Sequence, residues 1–422
     1  MRRLLVLALA PILLAASPFQ VWAKDLPAAS PSEVGLSAER LGRLDAFMEQ
    51  AIARGRIPGA VVLIARDGRV AHHKAYGLAD RDSARPMRKD EIFRIYSMTK
   101  PVVSVALLTL YEEGLFQLGD PLERYIPAFK DQKVFAATDA NGAILVEDAR
   151  RKPTVHDAFR HTLGISAGSG PDAVSRLYID KGLTITQIES LAEQMRLLGE
   201  VPLVYQPGER WLYGFGHDVQ AYLVEHFSGM PVDRYLEQRL FAPLGMAETG
   251  YAVGRRHPGR VATLHGVSEE PPANPAIDMR PSTYDRFADH PLGTLGLWST
   301  ASDFARFGQM LLNGGELDGT RILGRKTVEL LARNHLPENI GTLAEYGQPG
   351  VGYGLGFSVA LDPAAEGNLD SPGAFGWTGA ATTRFIVDPK ERLIAVFMAQ
   401  QWPYDARLLA EFQTLVYQAI AQ

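Results

Sequence analysis

The sequence predicts an α/β protein: an antiparallel sheet built from both ends of the chain, flanked by helices, with a mainly helical subdomain inserted between. Three observations predict it. β-rich runs paired around tight turns occur near each end, helical periodicity dominates the middle, and 422 residues exceed what one core commonly supports. The sheet part is expected over about 31–100 and 345–422, the helical part over about 101–344.

Residues 1–23 read as a signal peptide. Arg2 and Arg3 form a short basic start, residues 4–16 are apolar with one proline, and Val21-Trp22-Ala23 offers a small-residue cleavage site before Lys24. The apolar run is too short for a comfortable membrane span. Export to a bacterial periplasm or beyond is the expected outcome. The chain has no cysteine, which excludes lipid attachment, disulfides and thiol chemistry. Losing the segment removes two arginines and no acid, so the net charge of −5 becomes −7. That mildly acidic balance gives no electrostatic footprint for nucleic acid or anionic membrane.

Ser37 can cap a helix carrying Leu41, Leu44, Phe47, Met48 and Ile52 at helical spacing. Residues 59–66 form a β-rich run, Asp67-Gly68 a hairpin turn, and residues 69–76 the return strand. The far end mirrors this, with runs at 382–387 and 393–398 flanking Asp388-Pro389-Lys390-Glu391, then an amphipathic helix from about Asp405 to Ile420. Within the insert, residues 131–151 and 268–290 lack clear periodicity and are expected as long polar loops, of the kind that often shape a binding site.

Tyr96-Ser97-Met98-Thr99-Lys100-Pro101 opens an almost wholly apolar stretch that ends at Glu112-Glu113-Gly114. A helix apolar all round is a buried one, and Gly114 suits its C-terminal end. Pro101 restricts the helix start and is tolerable only within the first turn. A serine and a lysine three residues apart share a helix face, where the lysine can serve as the base that a serine hydroxyl needs. With 18 serines and 10 lysines, chance alone supplies about 0.4 such pairs, so the pattern needs support from elsewhere in the chain.

Two other patterns mislead. Gly164-Ile165-Ser166-Ala167-Gly168 matches the G-x-S-x-G elbow, but that motif requires a strand before the serine and a helix after it. A helical pattern precedes it here and a Ser/Gly loop follows, so Ser166 is rejected as nucleophile. The ten histidines show no metal-ligand spacing, so neither a metal nor a cofactor is expected.

Pro207-Gly208-Glu209-Arg210-Trp211-Leu212-Tyr213 is a turn followed by a short aromatic segment, and Phe375-Gly376-Trp377-Thr378-Gly379-Ala380 precedes a C-terminal strand. Together with Ser97-Met98-Thr99-Lys100 these segments resemble the serine β-lactamase and penicillin-binding-protein superfamily, and within it the class C-like hydrolases that include the family VIII carboxylesterases. Supporting stretches are His161-Thr162-Leu163-Gly164, Pro243-Leu244-Gly245-Met246, Ser299-Thr300-Ala301-Ser302-Asp303 and Tyr353-Gly354-Leu355-Gly356-Phe357, and the resemblance runs from about Pro31 to the C-terminus. It implies a β-lactamase/transpeptidase-like fold. It further implies that Ser97 attacks an acyl carbon while Lys100 and Tyr213 shuttle its proton, that the backbone N–H groups of Ser97 and Ala380 form the oxyanion hole, and that water then hydrolyses the acyl-enzyme. A phenol, with an ordinary pKa of about 10, becomes a useful base beside a cation such as Lys100.

Two departures bear on substrate. Gly214-Phe215 stand where lactamases and peptidases of the superfamily have Ser-Asn, which removes an amide that could hold a lactam or peptide. Trp377 stands where they have lysine or histidine, a cation suited to a carboxylate. Arg384 lies an odd number of residues away and is expected on the opposite strand face. Phe215, Trp377, Thr378 and Gly379 are therefore expected to line a site for an uncharged, small ester or acyl substrate. The reading is an exported carboxylesterase, with weak β-lactamase activity in reach. The alternatives are a β-lactamase or D-amino peptidase, and a non-catalytic penicillin-binding-like protein.

Overall fold

The computed structural model describes residues 25–421 apart from Pro171, Glu269 and 275–277. The targeting segment expected over 1–23 lies outside the described residues. Among those described, no helix is long and apolar enough to cross a membrane.

Eight strands make the main sheet: β1 (Gly59–Arg66), β2 (Arg69–Asp80), β3 (Arg85–Pro86), β4 (Val351–Tyr353), β5 (Ser358–Ala360), β6 (Phe375–Gly379), β7 (Thr383–Asp388) and β8 (Leu393–Ala399). Their spatial order is β4-β5-β6-β7-β8-β1-β2-β3, with every neighbouring pair antiparallel. The first strand of the N-terminal hairpin thus pairs with the last strand of the chain, Ala60 opposite Ala399 and Arg66 opposite Leu393.

Six helices matter for the site: α1 (Ala38–Ala53), α2 (Thr99–Glu112), α3 (Val155–Phe159), α4 (Gly216–Ser228), α5 (Ala301–Leu312) and α6 (Ala406–Tyr417). Ser37 caps α1 by accepting from the Arg40 N–H at 3.2 Å, and Asp405 caps α6 by accepting from the Leu408 N–H at 2.8 Å. Both helices cover one face of the sheet, where Leu44, Met48, Leu408 and Phe412 pack with Ala60, Val62 and Ile64. The alternate residues Val61, Leu63 and Ala65 join the larger core on the other face, with α2 and α5. A strand covered on both sides reads as a continuous apolar run, which is why 59–66 shows no alternation.

Residues 99–110 of α2 are all buried. The helix begins at Thr99, so Pro101 falls in its first turn, and Gly114 follows its end at φ +77°. The loop expected over 131–151 is instead largely a two-stranded hairpin, Lys133–Thr138 with Ile144–Asp148. Of its strand side chains only Val134 is buried, where it meets Leu203, and Phe135 and Ile144 are half-buried against the core, so the hairpin leaves no regular period-two signal. Its turn is set by Asp139, whose carboxylate accepts from the Asn141 and Ala143 N–H groups. Within 268–290, the loop expectation gives way over its last part to a short helix, Pro281–Asp285, that packs Tyr284 into the core.

Candidate active site

The turn before α2 is held in an unusual shape. Tyr96 has φ +43°, a left-handed conformation that a bulky side chain seldom adopts. Its N–H donates to the Tyr284 hydroxyl at 3.1 Å, the two rings meet edge to face at 4.7 Å, and Tyr284 donates on to the Leu297 carbonyl at 2.6 Å. Ser97 is thereby presented on a tight turn, with Lys100 in the first turn of α2 behind it. Lys100 is completely buried. Its ammonium donates to Ser97 Oγ at 3.2 Å and to the Thr294 carbonyl at 2.9 Å.

Tyr213 arrives on a loop stapled to the segment 161–164. The N–H groups of Val204, Gly208 and Leu212 each donate at 2.8 Å, to the carbonyls of Gly164, Thr162 and His161 respectively. Gly164 sits at φ +82°, and a Cβ there would lie 2.4 Å from the Tyr205 carbonyl, so the loop approaches only because the residue is glycine. The result is that Lys100 Nζ stands 4.3 Å from the centre of the Tyr213 ring. The ring of Tyr213 is flanked by Trp211 at 5.7 Å and by Trp377 at 6.0 Å, and Trp377 stands edge-on to Tyr353 at 5.2 Å.

The third wall is the end of β6. β5 pairs with β6 only at Phe375 and Gly376, leaving the edge at 377–379 open. A Cβ on Gly379 would lie 2.4 Å from the Ile95 carbonyl, so this edge packs directly on the turn that carries Ser97. A cavity of about 610 Å³ runs past it, lined by Ser97, Tyr213, Trp377, Thr378, Gly379 and Ala380. Trp377 pairs across the sheet with Phe385 and Thr378 with Arg384, so Arg384 is on the face opposite Trp377. The cavity rounds the open edge and is also lined by Arg384 on that second side.

One expected wall residue is corrected. Phe215 is fully buried, stacks on Tyr178 at 6.3 Å, and begins α4 as a core side chain rather than lining the cavity. The tight approach of Gly214 to the Ile165 and Ser166 backbone turns residue 215 inward. Ser166 is itself buried, its Oγ accepting from the Gly168 N–H at 3.0 Å, and it does not line the cavity. Among the described residues, no group of three or more His, Asp or Glu side chains is arranged to hold a metal ion.

Two neighbours of the site carry no motif. Thr294 comes from a loop without periodicity, and Asp218 lies inside a helix. Behind Tyr213, His161 and His217 are fully buried with ring centres 4.7 Å apart, and burial, reinforced by Lys100, holds both imidazoles well below their usual range and therefore neutral.

Comparison with known proteins gives a consistent answer. Residues 44–418 match the family model described as Beta-lactamase. Protein Rv1367c of Mycobacterium tuberculosis is 33% identical over 361 residues, spanning 83% of this chain and 87% of that protein. Esterase EstB of Burkholderia gladioli is 30% identical over 377 residues, 85% of this chain and 90% of EstB. Among solved structures, EstCE1, described as a hydrolase with promiscuous acyltransferase activity, superposes with a TM-score of 0.75 at 25% identity over 90% of this chain and 98% of that one. With this fold, and with relatives that include an esterase, the chain belongs to the Beta-lactamase family and is a serine hydrolase of that family.

Proposed function

We propose that the protein is a carboxylesterase that forms an acyl-enzyme at Ser97 from small neutral esters. The observation that carries this is the pairing of Ser97 Oγ with the buried Lys100 ammonium at 3.2 Å, at a cavity walled by Tyr213 and Trp377. Ser97 Oγ attacks the ester carbonyl, and its proton passes through Tyr213 and Lys100 to the departing alcohol. The N–H groups of Ser97 and Ala380 receive the negative charge that develops on the carbonyl oxygen. Water then repeats the sequence in reverse and frees the acid.

Substrate class follows from what faces the cavity. Trp377 offers an apolar face where a carboxylate-binding relative needs a cation, and residue 215 brings no amide to the site. A neutral ester loses little by entering such a cavity, whereas a penicillin carboxylate loses hydration without a matched partner on the Trp377 side. The esterase EstB among its relatives supports ester chemistry, and the acyltransferase activity of EstCE1 supports acyl transfer. The signal-like segment at residues 1–23 supports export, and the division into a sheet part and a helical part near residues 100 and 345 is proposed with it.

A panel of p-nitrophenyl esters set beside a chromogenic cephalosporin tests the reading. Short neutral esters should be hydrolysed with kcat/KM at least about a hundredfold above the cephalosporin, the size of two missing polar contacts. Equal or better turnover of the cephalosporin would overturn the substrate class.

A further inference from the structure

Lys100 is a fully buried cation, and among the described residues no carboxylate stands within ion-pair distance of its ammonium. What fixes its position, besides Ser97, is the Thr294 carbonyl at 2.9 Å. Thr294 is held in turn by Asp218. The Thr294 N–H donates to Asp218 Oδ1 at 2.7 Å, and Gln194 Nε2 donates to Asp218 Oδ2 at 2.8 Å. Asp218 has no exposed surface. Both of its oxygens accept from N–H donors, an arrangement that suits the ionised carboxylate, and its place in the first turn of α4 adds the favourable end of the helix dipole.

The surrounding backbone leaves Thr294 little freedom. A Cβ on Gly293 would lie 1.9 Å from the His217 carbonyl, so this segment lies directly on the start of α4. On its other side the Tyr251 hydroxyl donates to the Leu292 carbonyl at 2.5 Å. Tyr213 and Asp218 come from one short stretch of chain, so the ring against Lys100 and the acid behind it are fixed together.

We propose that Asp218 is the positioning residue of Lys100: through Thr294 it places the carbonyl that holds the ammonium against Ser97. The inference rests on the reading of Lys100 as part of the proton relay. Burial raises the Asp218 carboxyl above its usual range, and the donors from Gln194 and Thr294, with Lys100 beyond, offset only part of that rise. The other titratable groups facing the pair are Tyr213, the neutral His161 and His217, and Tyr251, whose hydroxyl burial and Asp218 keep well above the usual range.

The test compares wild type, Asp218→Asn, Gln194→Met and Lys100→Ala in p-nitrophenyl ester hydrolysis from pH 5 to 10, with melting temperature alongside. Asparagine keeps the shape and an acceptor for the Thr294 N–H but removes the charge. Asp218→Asn should lower kcat at least about tenfold with KM changed less than about twofold. Gln194→Met, which leaves Asp218 in place with one donor fewer, should shift kcat in the same direction by a smaller factor and serves if the asparagine variant does not fold. A lowered melting temperature with kcat and KM impaired alike would make Asp218 merely structural and overturn the inference. Unchanged kinetics in folded variants would overturn it too, provided Lys100→Ala is inactive. If Lys100→Ala keeps full activity, the proton-relay reading itself falls.

Discussion

At the scale of single residues, the proposed preference for neutral esters turns on Trp377. It lines the cavity, stands edge-on to Tyr353, and its indole N–H is buried without a partner among the described residues. Trp377→Lys places a cation on the face toward Tyr213, and should lower KM for carboxylate-bearing β-lactams. A partly exposed ion pair contributes about 1 kcal/mol or less, so the gain should be severalfold and should fade with added salt. Paired measurements of kcat/KM on a neutral ester and a cephalosporin, with the melting temperature, check this. A uniform loss on both substrates with a lower melting point would make Trp377 a packing residue. Phe215 marks where residue-level reading from sequence stopped short. Its position after Tyr213 matched a site residue of relatives, but its direction is set by the contact of Gly214 with Ser166, which no pattern in the chain announces.

At the scale of elements, the site depends on one strand end touching one turn. Gly379→Ala would put a methyl 2.4 Å from the Ile95 carbonyl and 2.2 Å from Thr383 Oγ1. The strand must then withdraw from Ser97, and a displacement of about 1 Å can cost about a hundredfold in rate. The expected result is a folded protein with kcat reduced by that order; wild-type kcat would mean that the approach of β6 is not used. A second element-level device is the clamp behind Tyr213. Asp157 is fully buried and accepts from Arg151 at 2.6 Å, Arg160 at 3.0 Å and Thr162 at 2.8 Å, which fixes the segment 161–164. Burial opposes its ionisation, but the two arginines hold the carboxyl well below the usual range. A depressed carboxyl stabilises the fold above the unfolded-state value, near pH 4, and that contribution is lost as pH falls below it. Asp157→Asn should therefore destabilise at pH 7 by about 3–5 kcal/mol, the cost of breaking a buried pair, and the gap from wild type should narrow steadily as pH falls from 4 to 2. Parallel denaturation curves at the two ends of that range, with an unchanged gap, would contradict it.

At the scale of the whole molecule, the site exists because both halves of the chain meet: Ser97 follows the N-terminal hairpin, Tyr213 comes from the middle, and 377–380 belongs to a C-terminal strand. The sheet was legible in the sequence because β1, β7 and β8 are covered on both faces and bounded by clear turns. The serine–lysine turn was legible because α2 is buried all round, although the left-handed Tyr96 that shapes it was not. The hairpin at 133–148 was not legible, since most of its side chains face water and the few that pack, Val134, Phe135 and Ile144, do not alternate. Thr294 and Asp218 were silent for another reason: one acts through its backbone, and the other is a lone acid in a helix whose partners lie far away in the chain. The claim at the centre of this account is that Ser97 carries the acyl group. Trapping the enzyme with a fluorophosphonate or a quenched p-nitrophenyl ester, then locating the adduct by peptide mass spectrometry, tests it most directly. One equivalent on Ser97 is predicted, absent in Ser97→Ala and retained in Ser166→Ala; an adduct on Ser166, or labelling that survives Ser97→Ala, would contradict it.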